Sequence, residues 1–137
     1  MLRRRTALAA ALAAAVLGLA ACGGDGEEAA PGRTDTATAP VEPGATLVGT
    51  VGPGFEISLE TQDGQEVGTL PAGAYTIEVD DRASAHNFHL SGPGVEETTS
   101  VSEEEQTTFE VELQTGTYEF VCDPHASAMR GDFEVTG

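Results

Sequence analysis

"TYEFVCDPHASAMRGDFEV", residues 117–135, holds two alternating segments on either side of a turn. In "TYEFVC" the side chains of Tyr118, Phe120 and Cys122 share one face, and "DFEV" at 132–135 takes up the alternation again. A period of two is the signature of a strand, because successive side chains leave a pleated backbone on opposite sides. Pro124 breaks the first strand, and Gly131 is expected to let the chain turn back into the second. The turn between them gathers Cys122, His125 and Met129, in a chain with only two Cys, three His and two Met.

The same pattern extends upstream. In "AYTIEVD" (74–80) Tyr75, Ile77 and Val79 oppose Thr76, Glu78 and Asp80, and in "TFEVELQ" (108–114) Phe109, Val111 and Leu113 oppose Glu110 and Glu112. Further candidate strands are "TLVGTV" (46–51), "FEISLE" (55–60) and "HNFHL" (86–90). Turn signals separate them: Gly52-Pro53-Gly54, Asp63-Gly64, Pro71-Ala72-Gly73, Gly92-Pro93-Gly94 and Gln114-Thr115-Gly116. Seven or eight short strands, each with one apolar face, predict an all-β, two-sheet sandwich over residues 45–137. No stretch shows a helical period longer than a turn, and there is no internal repeat.

The first 44 residues read differently. Arg3, Arg4 and Arg5 precede an apolar run from Ala7 to Ala21, shorter than the roughly 20 residues of a spanning helix, so residues 1–21 are expected to be an export signal. "LAAC" at Leu19–Cys22, followed by two glycines, resembles the lipobox of bacterial lipoproteins. That resemblance implies cleavage before Cys22 and a lipid on its thiol. Ordinary secretion, with cleavage near Ala21 and a spare thiol at Cys22, is the alternative. Residues 22–44 are Gly, Ala, Thr, Pro and acid, with too little apolar area to order themselves, so a flexible acidic linker is expected. Loss of the leader leaves Arg33, Arg82 and Arg130 against 23 acidic residues, with no lysine anywhere. Such a surface repels nucleic acid and anionic headgroups and attracts basic proteins or cations. Membrane association is therefore expected through the lipid alone, and the charge argues for a monomer.

With Cys22 lipidated, Cys122 has no disulfide partner. It is then an inert core thiol, a reactive thiol or a metal ligand. A proline-tightened turn can bring its thiolate and the His125 imidazole round one point, and a metal there needs a remote ligand. Alternation in "HNFHL" puts His86 on the apolar side with Phe88 and Leu90, and turns His89 outward with Asn87. His86 is then the histidine that meets Cys122, and His89 is a surface or supporting residue. Two imidazoles, a thiolate and a distant thioether form the donor set of a blue-copper centre. Zinc ordinarily takes a carboxylate or another His or Cys in place of Met. Taken singly, each residue has a plainer reading: a core Cys, a surface His, a gap-filling Met.

"FVCDPHASAMRGDF" (120–133) together with "HNF" (86–88) resembles the cupredoxins, the small blue-copper electron carriers that include plastocyanin, pseudoazurin, halocyanin and amicyanin. The resemblance implies a two-sheet Greek-key β-sandwich holding one type 1 copper per chain. It assigns His86, Cys122, His125 and Met129 as ligands, and Asn87 as a residue that hydrogen-bonds to the segment carrying Cys122. The spacing departs from the family in one place. Three residues separate His125 from Met129, against four in plastocyanin-like members and two in amicyanin, so a backbone carbonyl or water is the alternative axial ligand.

The function expected is that of a non-enzymatic, extracytoplasmic carrier of single electrons between Cu(I) and Cu(II), held at the bacterial cell membrane by its N-terminal lipid. His125 is the expected exit for the electron, and the expected partner is a redox protein such as a basic cytochrome or oxidase domain. Copper storage or delivery without electron transfer is the alternative. The chain lacks the Met- or His-rich tracts of such carriers.

Overall fold

The computed structural model describes residues 40–137, so the expected export signal, Cys22 and most of the expected linker lie outside the described residues. Nine strands follow one another among the described residues: β1 (Thr46–Val51), β2 (Ile57–Thr61), β3 (Thr69–Pro71), β4 (Gly73–Asp81), β5 (His89–Gly92), β6 (Val95–Thr98), β7 (Glu105–Leu113), β8 (Gly116–Val121) and β9 (Arg130–Thr136). The one helical element among the described residues is a 3-10 turn at Asp123–His125. The strands form a four-stranded sheet in the order β2-β1-β4-β7 and a five-stranded sheet in the order β3-β9-β8-β5-β6. Both are mixed, because β1 runs parallel to β4 and β3 parallel to β9.

Alternation drives the pairing. Along β4 and β7 the partners Tyr75↔Val111 and Ile77↔Phe109 turn inward together, while Thr76↔Glu110 faces solvent with a hydroxyl–carboxylate bond of 3.1 Å. A one-residue slip would expose this whole apolar set, so burial fixes the register. The facing side of the other sheet supplies Leu90, Tyr118, Phe120, Phe133 and Val135 to one continuous core.

Two strands exceed the sequence expectation. β3 is three residues long, buries only Leu70 and ends on Pro71, which sequence reading assigned to a turn. β6 reads "VEET", and only Val95 is buried. Neither is long or alternating enough to signal itself.

Gly131 also differs from its expected role. It lies inside β9 opposite Phe120, and a Cβ there would stand 2.3 Å from the Phe120 ring. The glycine makes room for an aromatic ring and does not turn the chain. Gly92 does the same for Tyr118, at 2.2 Å. At the linker end, the Gly44 N–H donates to the Ala74 carbonyl at 2.7 Å, and Val41 packs against the core.

Candidate metal centre

β8 stops pairing at Val121, and Cys122 starts a turn that closes on itself. The His125 N–H donates to the Cys122 carbonyl at 2.9 Å, and the N–H groups of Ala128 and Met129 both donate to the His125 carbonyl at 2.9 Å. The Cys122 N–H then donates to the Met129 carbonyl at 3.0 Å. Pro124 sits in the first helical turn, where a missing N–H leaves no bond unmade. The Cys122 and Met129 side chains are fully buried, while His125 is half-buried.

His86 arrives from the other side of the sandwich by a different route. It was expected in a strand, yet β5 begins only at His89, and residues 82–88 form an irregular connection. Polar bonds hold that connection. The Arg82 N–H donates to Val51 O at 3.0 Å, the Ala83 N–H to Asp81 Oδ1 at 3.3 Å, and the His86 N–H to Ala83 O at 3.2 Å. The Phe88 N–H donates to Thr99 Oγ1 at 2.7 Å, and that hydroxyl donates in turn to Asp81 Oδ2 at 2.6 Å. Burial pushes the Asp81 carboxyl above the usual carboxylate range, although the Thr99 and Ala83 bonds oppose the shift.

Three donor atoms meet where these segments converge. Nδ1 of His86 and Nδ1 of His125 are 3.0 Å apart, and Sγ of Cys122 is 3.5 Å from each. A point equidistant from all three lies about 1.9 Å from each, near the roughly 2.0–2.1 Å of a metal–imidazole bond and short of the roughly 2.3 Å of a metal–thiolate bond. A small outward shift of the sulfur accommodates an ion, so the donor set and its spacing fit a metal. Among the described residues these three form the one group of His, Cys, Asp and Glu side chains close enough to hold one.

Asn87 was expected to point outward with His89, but it is 1% exposed. Its side chain joins the two donor segments. Oδ1 accepts from the Asp123 N–H at 2.8 Å, and Nδ2 donates to Asp123 Oδ2 at 2.7 Å and to Thr98 Oγ1 at 3.0 Å. These bonds explain why an amide is tolerated inside, and outside a strand no alternation turns it away. His89 remains on the outer face, with Nδ1 2.9 Å from Asp123 Oδ1 and Nε2 3.1 Å from Glu96 Oε1.

Phe55 escaped sequence reading, which placed it at the start of a strand. It precedes β2 and is 69% exposed. Its ring stands edge-on to His86 and His125, with centroids 5.6 and 5.0 Å away. The only hint in the sequence is its position directly after Gly52-Pro53-Gly54. The supporting pair Asp81 and Thr99 left no signal at all, since both lie within ordinary strand ends and loops.

Comparison with known proteins agrees with this donor chemistry. The family model for copper binding proteins of the plastocyanin/azurin family matches residues 55–136. No curated protein matches the chain. Among solved structures the chain is similar to reduced rusticyanin, at 27% identity over 66% of this chain and 78% of that one, with a TM-score of 0.45. It is likewise similar to rusticyanin from Thiobacillus ferrooxidans, at 26% identity over 66% and 76% of the two chains, with a TM-score of 0.44. The matched span includes both donor segments, and copper is the metal that the fit described above concerns. The chain belongs to the plastocyanin/azurin family of copper-binding proteins.

Proposed function

We propose that this protein is an extracytoplasmic, membrane-tethered blue-copper protein that carries single electrons, with one copper per chain. The observation that carries the reading is the triangle of Cys122 Sγ, His86 Nδ1 and His125 Nδ1, with sides of 3.0 and 3.5 Å. Cys122, His86 and His125 would hold the metal, and Met129 would add a weaker thioether donor. Copper bound there supplies a one-electron couple between Cu(I) and Cu(II).

The chain's own part is to keep the donors still. Cys122 is clamped by the backbone bonds of its turn, and His86 by the Asp81–Thr99–Phe88 relay. A site that does not rearrange presents a small barrier when the charge changes. Cys122 is closed off from water, whereas His125 reaches the surface beside Phe55 and offers the electron an exit. The mature surface, with 23 acidic residues, suits a basic redox partner. Lipid on Cys22 would keep residues 45–137 near the membrane at the end of the linker.

Adding Cu(II) to the full metal-free chain tests the reading. One equivalent should produce intense visible absorption from thiolate-to-copper charge transfer, bleached by a reductant and restored by an oxidant. Tight Cu(I) binding without a coloured, reversible oxidised form would indicate storage or delivery instead. For the anchor, Cys22→Ser should release the protein from the membrane fraction, and unchanged fractionation would refute lipid tethering.

A further inference from the structure

His89 takes no part in the donor triangle, yet both of its ring nitrogens face carboxylate oxygens, 2.9 Å from Asp123 and 3.1 Å from Glu96. Asp123 lies between the donors Cys122 and His125. Its N–H and its second carboxylate oxygen are already engaged by Asn87, the neighbour of His86. One carboxylate thus collects the turn, the remote segment and His89. Glu96 belongs to β6, so His89 continues the connection to the edge of the five-stranded sheet.

We propose that His89, as its imidazolium, is a positioning residue of the copper centre, strapping the Cys122–His125 turn through Asp123 to Glu96. The inference rests on the metal site proposed above. An ionised carboxylate only accepts hydrogen bonds, and a neutral imidazole carries a single N–H. The neutral ring can therefore satisfy one of its two acceptors and must turn a lone pair toward the other. Only the doubly protonated ring makes both bonds, and charge assistance strengthens each. The bond to Asp123 is the main reason that the His89 pKa stands above its ordinary value; burial opposes the rise, and Glu96 adds to it.

The other charged groups on this outer face are Glu119, Arg130, Asp132 and Glu134, carried by β8 and β9, and Glu134 is occupied by the Thr117 hydroxyl. Arg130 is engaged with Glu119 at 2.7 Å, which leaves His89 as the cation serving Asp123. Because the folded pKa is raised, the strap is complete below about pH 6.5 and is lost as pH rises through the folded value. Loss of a positive charge near the metal disfavours the reduced form, so the reduction potential should fall over the same range.

The test uses the full chain, its His89→Gln variant and, because Glu96 is exposed, the fold-sparing Glu96→Gln variant. In metal-free protein, NMR titration should place the His89 midpoint above that of an ordinary histidine, and Glu96→Gln should move it down. Hydrogen exchange of the Asp123 N–H should quicken about tenfold in His89→Gln, the equivalent of one lost charge-assisted bond. In copper-loaded protein, the potential should show a pH-dependent fall with the same midpoint, and His89→Gln should flatten it. Unchanged Asp123 exchange together with an unchanged pH profile in His89→Gln would overturn the proposal. If the chain takes up no copper, the metal-site reading fails, and Asp123 exchange in the metal-free protein still decides whether His89 is a strap.

Discussion

The two segments that bring donors to the site are held in opposite ways. Residues 122–129 are stitched by their own backbone, with four N–H···O bonds of 2.9–3.0 Å inside eight residues. Residues 82–88 have one such internal bond, and otherwise lean on Val51, Asp81, Thr99 and Asp123. A local turn is specified by its own residues, whereas a segment held from outside depends on the whole sandwich. Damage to the first should therefore be chemical and confined. Damage to the second should appear as lost stability and a displaced His86.

The largest effect should come from within the local turn. Cys122→Ser removes the thiolate and should abolish the visible charge-transfer band entirely, with the fold intact by circular dichroism. Retained blue colour would break the contrast at once. Next is Asn87→Ala, which strips three hydrogen bonds from a buried bridge between the segments. It should cost about 2–4 kcal/mol, which lowers Tm by about 10–20 °C in a domain of this size. Thr99→Val removes the hydroxyl that serves both Phe88 and Asp81, and should cost about 1–2 kcal/mol by urea unfolding while weakening copper retention. A Thr99→Val protein that releases copper no faster than the parent would show that His86 does not depend on the relay. The smallest effect belongs to Arg82→Ala. Its 2.6 Å pair with Asp80 is largely solvent-exposed, so the loss should stay within about 0.5 kcal/mol and leave the colour unchanged.

The same contrast explains what the sequence could reveal. Cys122, His125 and Met129 fall within eight residues, so their common turn was visible without knowledge of the rest of the chain. The long strands β4 and β7 were equally visible, because the alternation across 74–80 and 108–114 outweighs any competing period. His86 does lie beside Cys122, but not by strand alternation, since no strand includes it. Asn87 shows the cost of that reasoning: alternation turned it outward, whereas hydrogen bonds to Asp123 and Thr98 hold it inside. β3 and β6 were hidden because neither "TLP" nor "VEET" carries a run of alternating apolar residues. Phe55 and Thr99 act through residues distant in sequence, Asp81 meets Thr99 as well as its neighbour Ala83, and nothing in their own neighbourhoods announces them.

Copper-edge X-ray absorption on the loaded full chain tests most directly whether both segments share one ion. Two imidazole nitrogens at about 2 Å and one sulfur slightly further out are expected, with one nitrogen lost in His86→Ala and both kept in His89→Ala. A spectrum without sulfur, or a His86→Ala protein that keeps two nitrogens, would contradict a shared ion.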